Sequence, residues 1–143
     1  MIAVARTLLA RLDAQPLALA LLLCRLGVAA IFWRSGQTKA DGFTILESTY
    51  DLFRYEYQVP LLPPDVAAVM ATVAEHVLPI LLAIGLAGRL SAAGLLTMTA
   101  VIQVFVYPNA WPDHLLWGSV LMLILLRGPG PLSLDHLVRR AQA

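Results

Sequence analysis

Apolar positions in this chain gather into four stretches, and the polar residues between and within them mark the elements. Leu17 to Trp33 is interrupted only by Arg25, with Pro16 where a helix tolerates proline, in its first turn. Val66 to Ala87 is entered through Pro63, Pro64 and Asp65 and carries Thr72, Glu75, His76 and Pro79. Leu90 to Tyr107 ends at Pro108 and has Gln103 as its one strongly polar side chain. The fourth stretch, from His114 to Leu126, is short against the roughly 20 residues that a spanning helix takes. The pattern predicts one all-α membrane domain over residues 1–143: an integral four-helix bundle, up-down-up-down, with spans at 16–35, 65–87, 89–107 and 113–127.

Two shorter amphipathic segments complete this reading. Phe43, Leu46, Tyr50, Phe53 and Tyr57 recur at the spacing of one helical face, which predicts an amphipathic helix over 43–57 in the first loop. It serves either as an interfacial anchor or as a lid over a cavity. Beyond the Gly128-Pro129-Gly130-Pro131 break, Ser133 caps a short C-terminal interfacial helix, with Leu134, Leu137 and Val138 toward lipid and Arg139 and Arg140 toward headgroups. Along the predicted path every aromatic residue falls at or near one end. Trp33, Tyr50, Phe53, Trp111 and Trp117 are expected there as an outer aromatic surface, unlike a belt shared by both interfaces.

Composition agrees with a membrane class. Of the 143 residues, 59% are hydrophobic and 13% charged, where soluble domains carry about 25% charged residues. A net charge of +1 gives no case for nucleic acid. Cys24, the single cysteine, excludes a disulfide framework. Arg6 and Arg11 before the first span have the look of a signal peptide, but Phe32, Trp33 and Arg34 stand where small cleavage-site residues belong, so the span reads as retained. Arg6, Arg11, Arg89, Arg127, Arg139 and Arg140 fall on one side and Arg34, Lys39 and Arg54 on the other, which predicts both termini in the cytoplasm.

The polar residues inside the spans are the candidate chemistry. Counted from the ends of their stretches, Arg25 and Glu75 reach similar depths of about 13 and 15 Å. Neither charge is tolerated alone there, so an Arg25–Glu75 ion pair is expected, either setting helix register or holding a ligand or proton. Gln103 joins a three-helix polar cluster or serves as interhelical glue. His76 and His114 complete the candidate set, His76 as a hydrogen-bonding partner of a neighbouring helix or a ligand. The two lie too far apart in depth to share a haem, and Cys24, Met70, Met98 and Met122 lack close ligand spacing, so no metal site is expected.

The segments "FWRSGQTK" at 32–39, "LPILLAIGLAGR" at 78–89 and "HLLWGSVLMLILLRGPGPLSLDHL" at 114–137, with the central Arg25 and Glu75, resemble the DoxX family of small bacterial membrane proteins, of the surfeit-locus-4-like group. The resemblance implies four helices in a bacterial inner membrane, and it picks out Arg25, Gly36, Lys39, Glu75, Arg89, His114 and Asp135. The family is similar to the membrane subunit of thiosulfate:quinone oxidoreductase, which implies a subunit or anchor of a redox system, quinone-linked, with Arg25, Glu75, Gln103, His76 and His114 as the quinone or proton site. Any enzyme role would be that of an accessory subunit. A non-catalytic scaffold docking a periplasmic partner on the aromatic surface stays open beside it, as does, with less support, transport of a small solute or metal. The lipid bilayer, a redox or periplasmic protein and a second copy of the chain are the partners in view. Gly27, Gly85, Gly88 and Gly94 serve either a homodimer or packing within one bundle.

Overall fold

The computed structural model describes residues 17–57 and 59–142; Arg6, Arg11, Pro16 and Ala143, on which parts of the topology reading rest, lie outside them. The chain is predominantly helical. Helix α1 spans Ala18–Gln37 and is followed by a two-stranded hairpin, β1 (Ala40–Asp41) and β2 (Thr44–Ile45). Helix α2 (Glu47–Asp51) continues into a π-helical turn, Leu52–Glu56. Pro64, at the first position of α3 (Pro64–Ile84), suits a helix start because its missing N–H has no partner to lose there. Gly85, with φ +70°, ends that helix in the left-handed conformation that only glycine adopts without penalty.

Helix α4 (Gly88–Val101) also ends in a π-helical turn, Ile102–Val106, and a 3₁₀ turn at Pro108–Ala110 leads into α5 (Trp111–Arg127). Helix α6 (Leu134–Ala141) closes the chain. Three segments, Ala18–Gln37, Pro64–Ile84 and Gly88–Val106, are long and apolar enough to cross a membrane. At 17 residues α5 is about 26 Å long, a little less than a hydrocarbon core.

Helix α1 packs on α3, α3 on α4, α4 on α5, and α5 back on α1. Val28, Ala29, Phe32, Leu82, Ala92, Leu95, Leu121 and Ile124 form the shared core. Small side chains such as Ala29 and Ala92 let the backbones approach, which is what drives helix association where lipid is as apolar as the core. Gly94 serves the same end: a Cβ there would stand 2.8 Å from Leu78. A Cβ on Gly27 would meet nothing within 4 Å, so this glycine is not used inside the fold.

The register of α1 against α3 departs from the sequence reading. Ser35 donates to Glu75 at 3.2 Å, and a Cβ on Gly36 would lie 3.1 Å from the Glu75 carbonyl. Arg25 instead lies beside Gly85, where a Cβ would overlap its guanidinium. Arg25 and Glu75 are thus separated by ten positions of helix, about 15 Å, and do not pair. Depth counted from the ends of apolar stretches assumes flush helix ends. In fact the first turns of α3 run past the end of α1 and are covered by α2, whose Phe53 packs on Ala67 and Ala68.

The first loop differs as well. The helix begins at Glu47, and residues 40–45 form the hairpin in place of the helical turn expected from Phe43. Asp41-Gly42 is a hairpin signal, and Gly42 takes the positive φ of +57° that the tight turn needs. Phe43, at the tip, is fully exposed.

Candidate functional site

Between α1, α2, α3, α4 and α5, at the end of the molecule where the aromatic residues gather, lies a cavity of about 360 Å³. Its wall is mostly apolar, including Phe32, Phe53, Met70, Met98 and Trp117. The polar exceptions are Ser35, Lys39, Glu75 and His114, with Tyr57 and Tyr107 at the rim. The volume falls within the range of small-molecule sites.

Lys39 lies two positions beyond α1, and its long stem carries the ammonium back among the helices. The ammonium donates to Glu75 Oε2 at 2.7 Å and to Ser35 Oγ at 3.0 Å, with a longer contact of 3.3 Å to the Ser35 carbonyl. Both charged side chains are buried, at 9% and 4% exposure. Burying two charges is tolerable only with this geometry and with the remaining lone pairs satisfied, which Ser35 Oγ achieves by donating to Glu75 Oε1. The hairpin fixes the backbone beneath: Leu46 N–H and the Thr49 hydroxyl both donate to the Lys39 carbonyl. The intramembrane acid therefore has a partner, but it is Lys39 and not Arg25.

Arg25 occupies another place. Its guanidinium is fully buried between Gly85 and Ser133 and donates to the Leu132 carbonyl, while Nε and Nη1 have no partner among the described residues. Asp135 stands next to it in the fold, accepting from the Ala87 and Gly88 amides at 2.8 Å each, at the N-terminus of α4. Arg25 thus joins the C-terminal segment to the α3–α4 turn, remote from Glu75.

Gln103 does not reach Glu75 either. It donates to the Pro108 carbonyl at 2.8 Å and accepts from His114 Nδ1 at 2.7 Å. The proton on Nδ1 leaves Nε2 as the remaining acceptor of a buried imidazole that lines the cavity, edge-on to Trp117. His76 donates from Nδ1 to the Thr72 carbonyl at 2.7 Å, accepts from Gln37 at 3.0 Å and meets Trp33 edge-on. It serves the α1–α3 contact and does not line the cavity. The five sequence candidates therefore divide: Glu75 and His114 line one cavity, Gln103 orients His114, and Arg25 and His76 lie elsewhere.

The outer aromatic surface divides too. Phe53 and Trp117 turn inward onto the cavity, because a helix covering the overhang of α3 must bury one face. Trp33 and Trp111 are exposed at 40% and 60%, and Tyr50 packs under the Arg54 guanidinium. At the rim, Tyr57 and Tyr107 share a hydroxyl hydrogen bond of 2.8 Å. Each follows a π-helical turn and returns its amide to the carbonyl five residues back, Tyr57 to Leu52 and Tyr107 to Ile102. Burial, and then the bond to Tyr107, pushes the Tyr57 hydroxyl above the usual tyrosine range. Charge-assisted bonds from Arg54 to Asp65, at 2.8 and 3.1 Å, tie α2 to the start of α3.

Sequence reasoning missed Ser35, the Lys39–Glu75 pairing and the tyrosine pair. The signal for Lys39 is its position: a long basic side chain just past a helix end reaches back along that helix to any nearby acid.

No solved structure matches this chain. An uncharacterized protein of Haemophilus influenzae (strain ATCC 51907 / DSM 11121 / KW20 / Rd) is 27% identical over 128 residues, covering 84% of this chain and 83% of that protein. The DoxX family model matches residues 20–108, which hold α1, the hairpin, α2, α3, α4 and the acid–lysine pair. By that match this is a membrane protein of the DoxX family.

Proposed function

We propose that the four long helices cross a bacterial inner membrane in alternating directions, and that the cavity holds the ring of a quinone for a redox enzyme to which the chain is a membrane subunit or anchor. The single observation that carries this reading is a buried Lys39–Glu75 pair facing an aromatic, mostly apolar cavity of about 360 Å³. An apolar ring suits the walls. Among the polar groups, Lys39 can exchange its 3.3 Å contact with the Ser35 carbonyl for a ligand carbonyl, and His114 Nε2 can accept from a ligand hydroxyl. A bound quinone supplies reversible two-electron carbonyl–hydroxyl chemistry. The chain's own residues orient the ring, exclude water and hold protons at Glu75 and His114. Arg89, Arg127, Arg139 and Arg140 belong to the end away from the cavity, which supports a cytoplasmic placement of both termini.

The test is quinone extracted from protein purified in mild detergent. Lys39→Met and His114→Ala each lower the quinone retained about tenfold or more, the effect of losing about 1.4 kcal/mol of binding. Arg34→Gln leaves it unchanged. Equal quinone in all four proteins would refute the site.

A second reading, a scaffold docking a periplasmic protein, is favoured by the fully exposed Phe43 on a rigid hairpin tip and the exposed Trp111 nearby in sequence to the cavity-lining residues. A tagged chain that retains a partner, loses it on Phe43→Ser and carries no quinone would decide for it.

A further inference from the structure

The most basic part of the described surface lies away from the cavity. Arg127 in the last turn of α5, His136 on α6, and Arg139 and Arg140 in the last turn of α6 line a single groove of about 390 Å³, floored by Gly130 and Pro131. Among the described residues none of the three arginines has a carboxylate partner. Asp135, the acid closest in sequence, is turned away and held by the Ala87 and Gly88 amides.

The groove is also built to keep its shape. Ser133 accepts from the His136 amide and donates to the Gly130 carbonyl, the Asp135 amide donates to the Gly85 carbonyl, and Arg139 Nε donates to the Asp135 carbonyl. This last bond leaves the Nη groups of Arg139 for a ligand. Around the groove Leu132, Leu134, Leu137 and Val138 are exposed, so a ligand here meets cations on one side and unpartnered apolar side chains on the other.

We propose that this groove binds the headgroup phosphate of an anionic phospholipid. Guanidinium forks match phosphate oxygens in pairs, and the exposed leucines and Val138 lie where acyl chains continue from a headgroup. A free phosphate would use the arginines but gain nothing from the apolar rim.

The test is native mass spectrometry of the full chain in mild detergent, titrated with phosphatidylglycerol, with phosphatidylcholine, and with phosphatidylglycerol in the presence of millimolar inorganic phosphate. Phosphatidylglycerol should bind, phosphatidylcholine at least tenfold more weakly, and inorganic phosphate should not displace the lipid. At about fivefold per arginine, Arg139→Gln/Arg140→Gln should weaken binding about thirtyfold and Arg127→Gln about fivefold. Arg34→Gln, close to the cavity, should change nothing. Circular dichroism identifies any variant that has not folded, and Leu137→Ser, which keeps every charge, should still weaken the lipid. Equal binding of the two lipids, equal binding by the Arg139/Arg140 variant, or displacement by inorganic phosphate would each overturn the proposal.

Discussion

Replacing Lys39 by methionine removes the ammonium from Glu75 and leaves a carboxylate at 4% exposure with only Ser35 to bond it. Breaking a buried pair from one side costs about 3–5 kcal/mol, because the surviving charge has neither water nor partner. Glu75→Leu strands the ammonium in the same way. The double variant Lys39→Met/Glu75→Leu strands nothing, so it should lie no lower than either single variant. The coupling energy from that cycle should reach about 2–3 kcal/mol, the upper part of the range for residues in contact. A second cycle between Arg25→Met and Glu75→Leu is the control. Those residues share no partner and stand about 15 Å apart along the helices, so their effects should add within about 0.5 kcal/mol. Stability would be read from reversible unfolding in mixed micelles by circular dichroism, all variants under one detergent condition. A Lys39–Glu75 coupling below about 0.5 kcal/mol, or a larger one between Arg25 and Glu75, would refute the register derived for α1 and α3.

Gly85→Ala should destabilise by about 2–4 kcal/mol, combining the left-handed backbone with a Cβ that overlaps Arg25 and Ser133. Gly27→Ala, in a helix and facing nothing within 4 Å, should stabilise by about 0.5–1 kcal/mol, and unfolding midpoints compare the two. Ultraviolet titration of tyrosine should show one late-ionising group that disappears in Tyr57→Phe. Since the folded state holds that proton more tightly than the unfolded chain, stability is unaffected below the ordinary tyrosine pKa of about 10 and falls as pH rises above it. A titration in which all tyrosines ionise together would contradict the buried Tyr57–Tyr107 contact.

The apolar stretches located the long helices because hydrophobic runs and prolines are local signals. Pro64, Gly85 and Pro108 stand where chain geometry alone demands an end or a turn. Pairing was not local. Arg25 and Glu75 both sit mid-stretch, and nothing in either stretch tells that α3 overhangs α1 by several turns. That offset depends on α2 packing over Ala67 and Ala68, a contact between segments separated in sequence. His114 was legible as a buried polar residue, but its bond to Gln103 follows from the π-helical turn that ends α4, and such a turn has no sequence signature. Phe53 was read as facing outward because periodicity reveals that a helix has an apolar face and not what that face will meet.

The wide turns that precede Tyr57 and Tyr107 set a limit on chain length. Each holds one residue more than an ordinary helical repeat would use. Removing any one residue between Ile102 and Val106 would let that segment relax to regular winding and swing all that follows by about 100° about the axis. Tyr107 would leave its partner, and the imidazole on α5 would lose its carboxamide. In this part of the chain, a deletion should therefore do more harm than any single exchange of side chain.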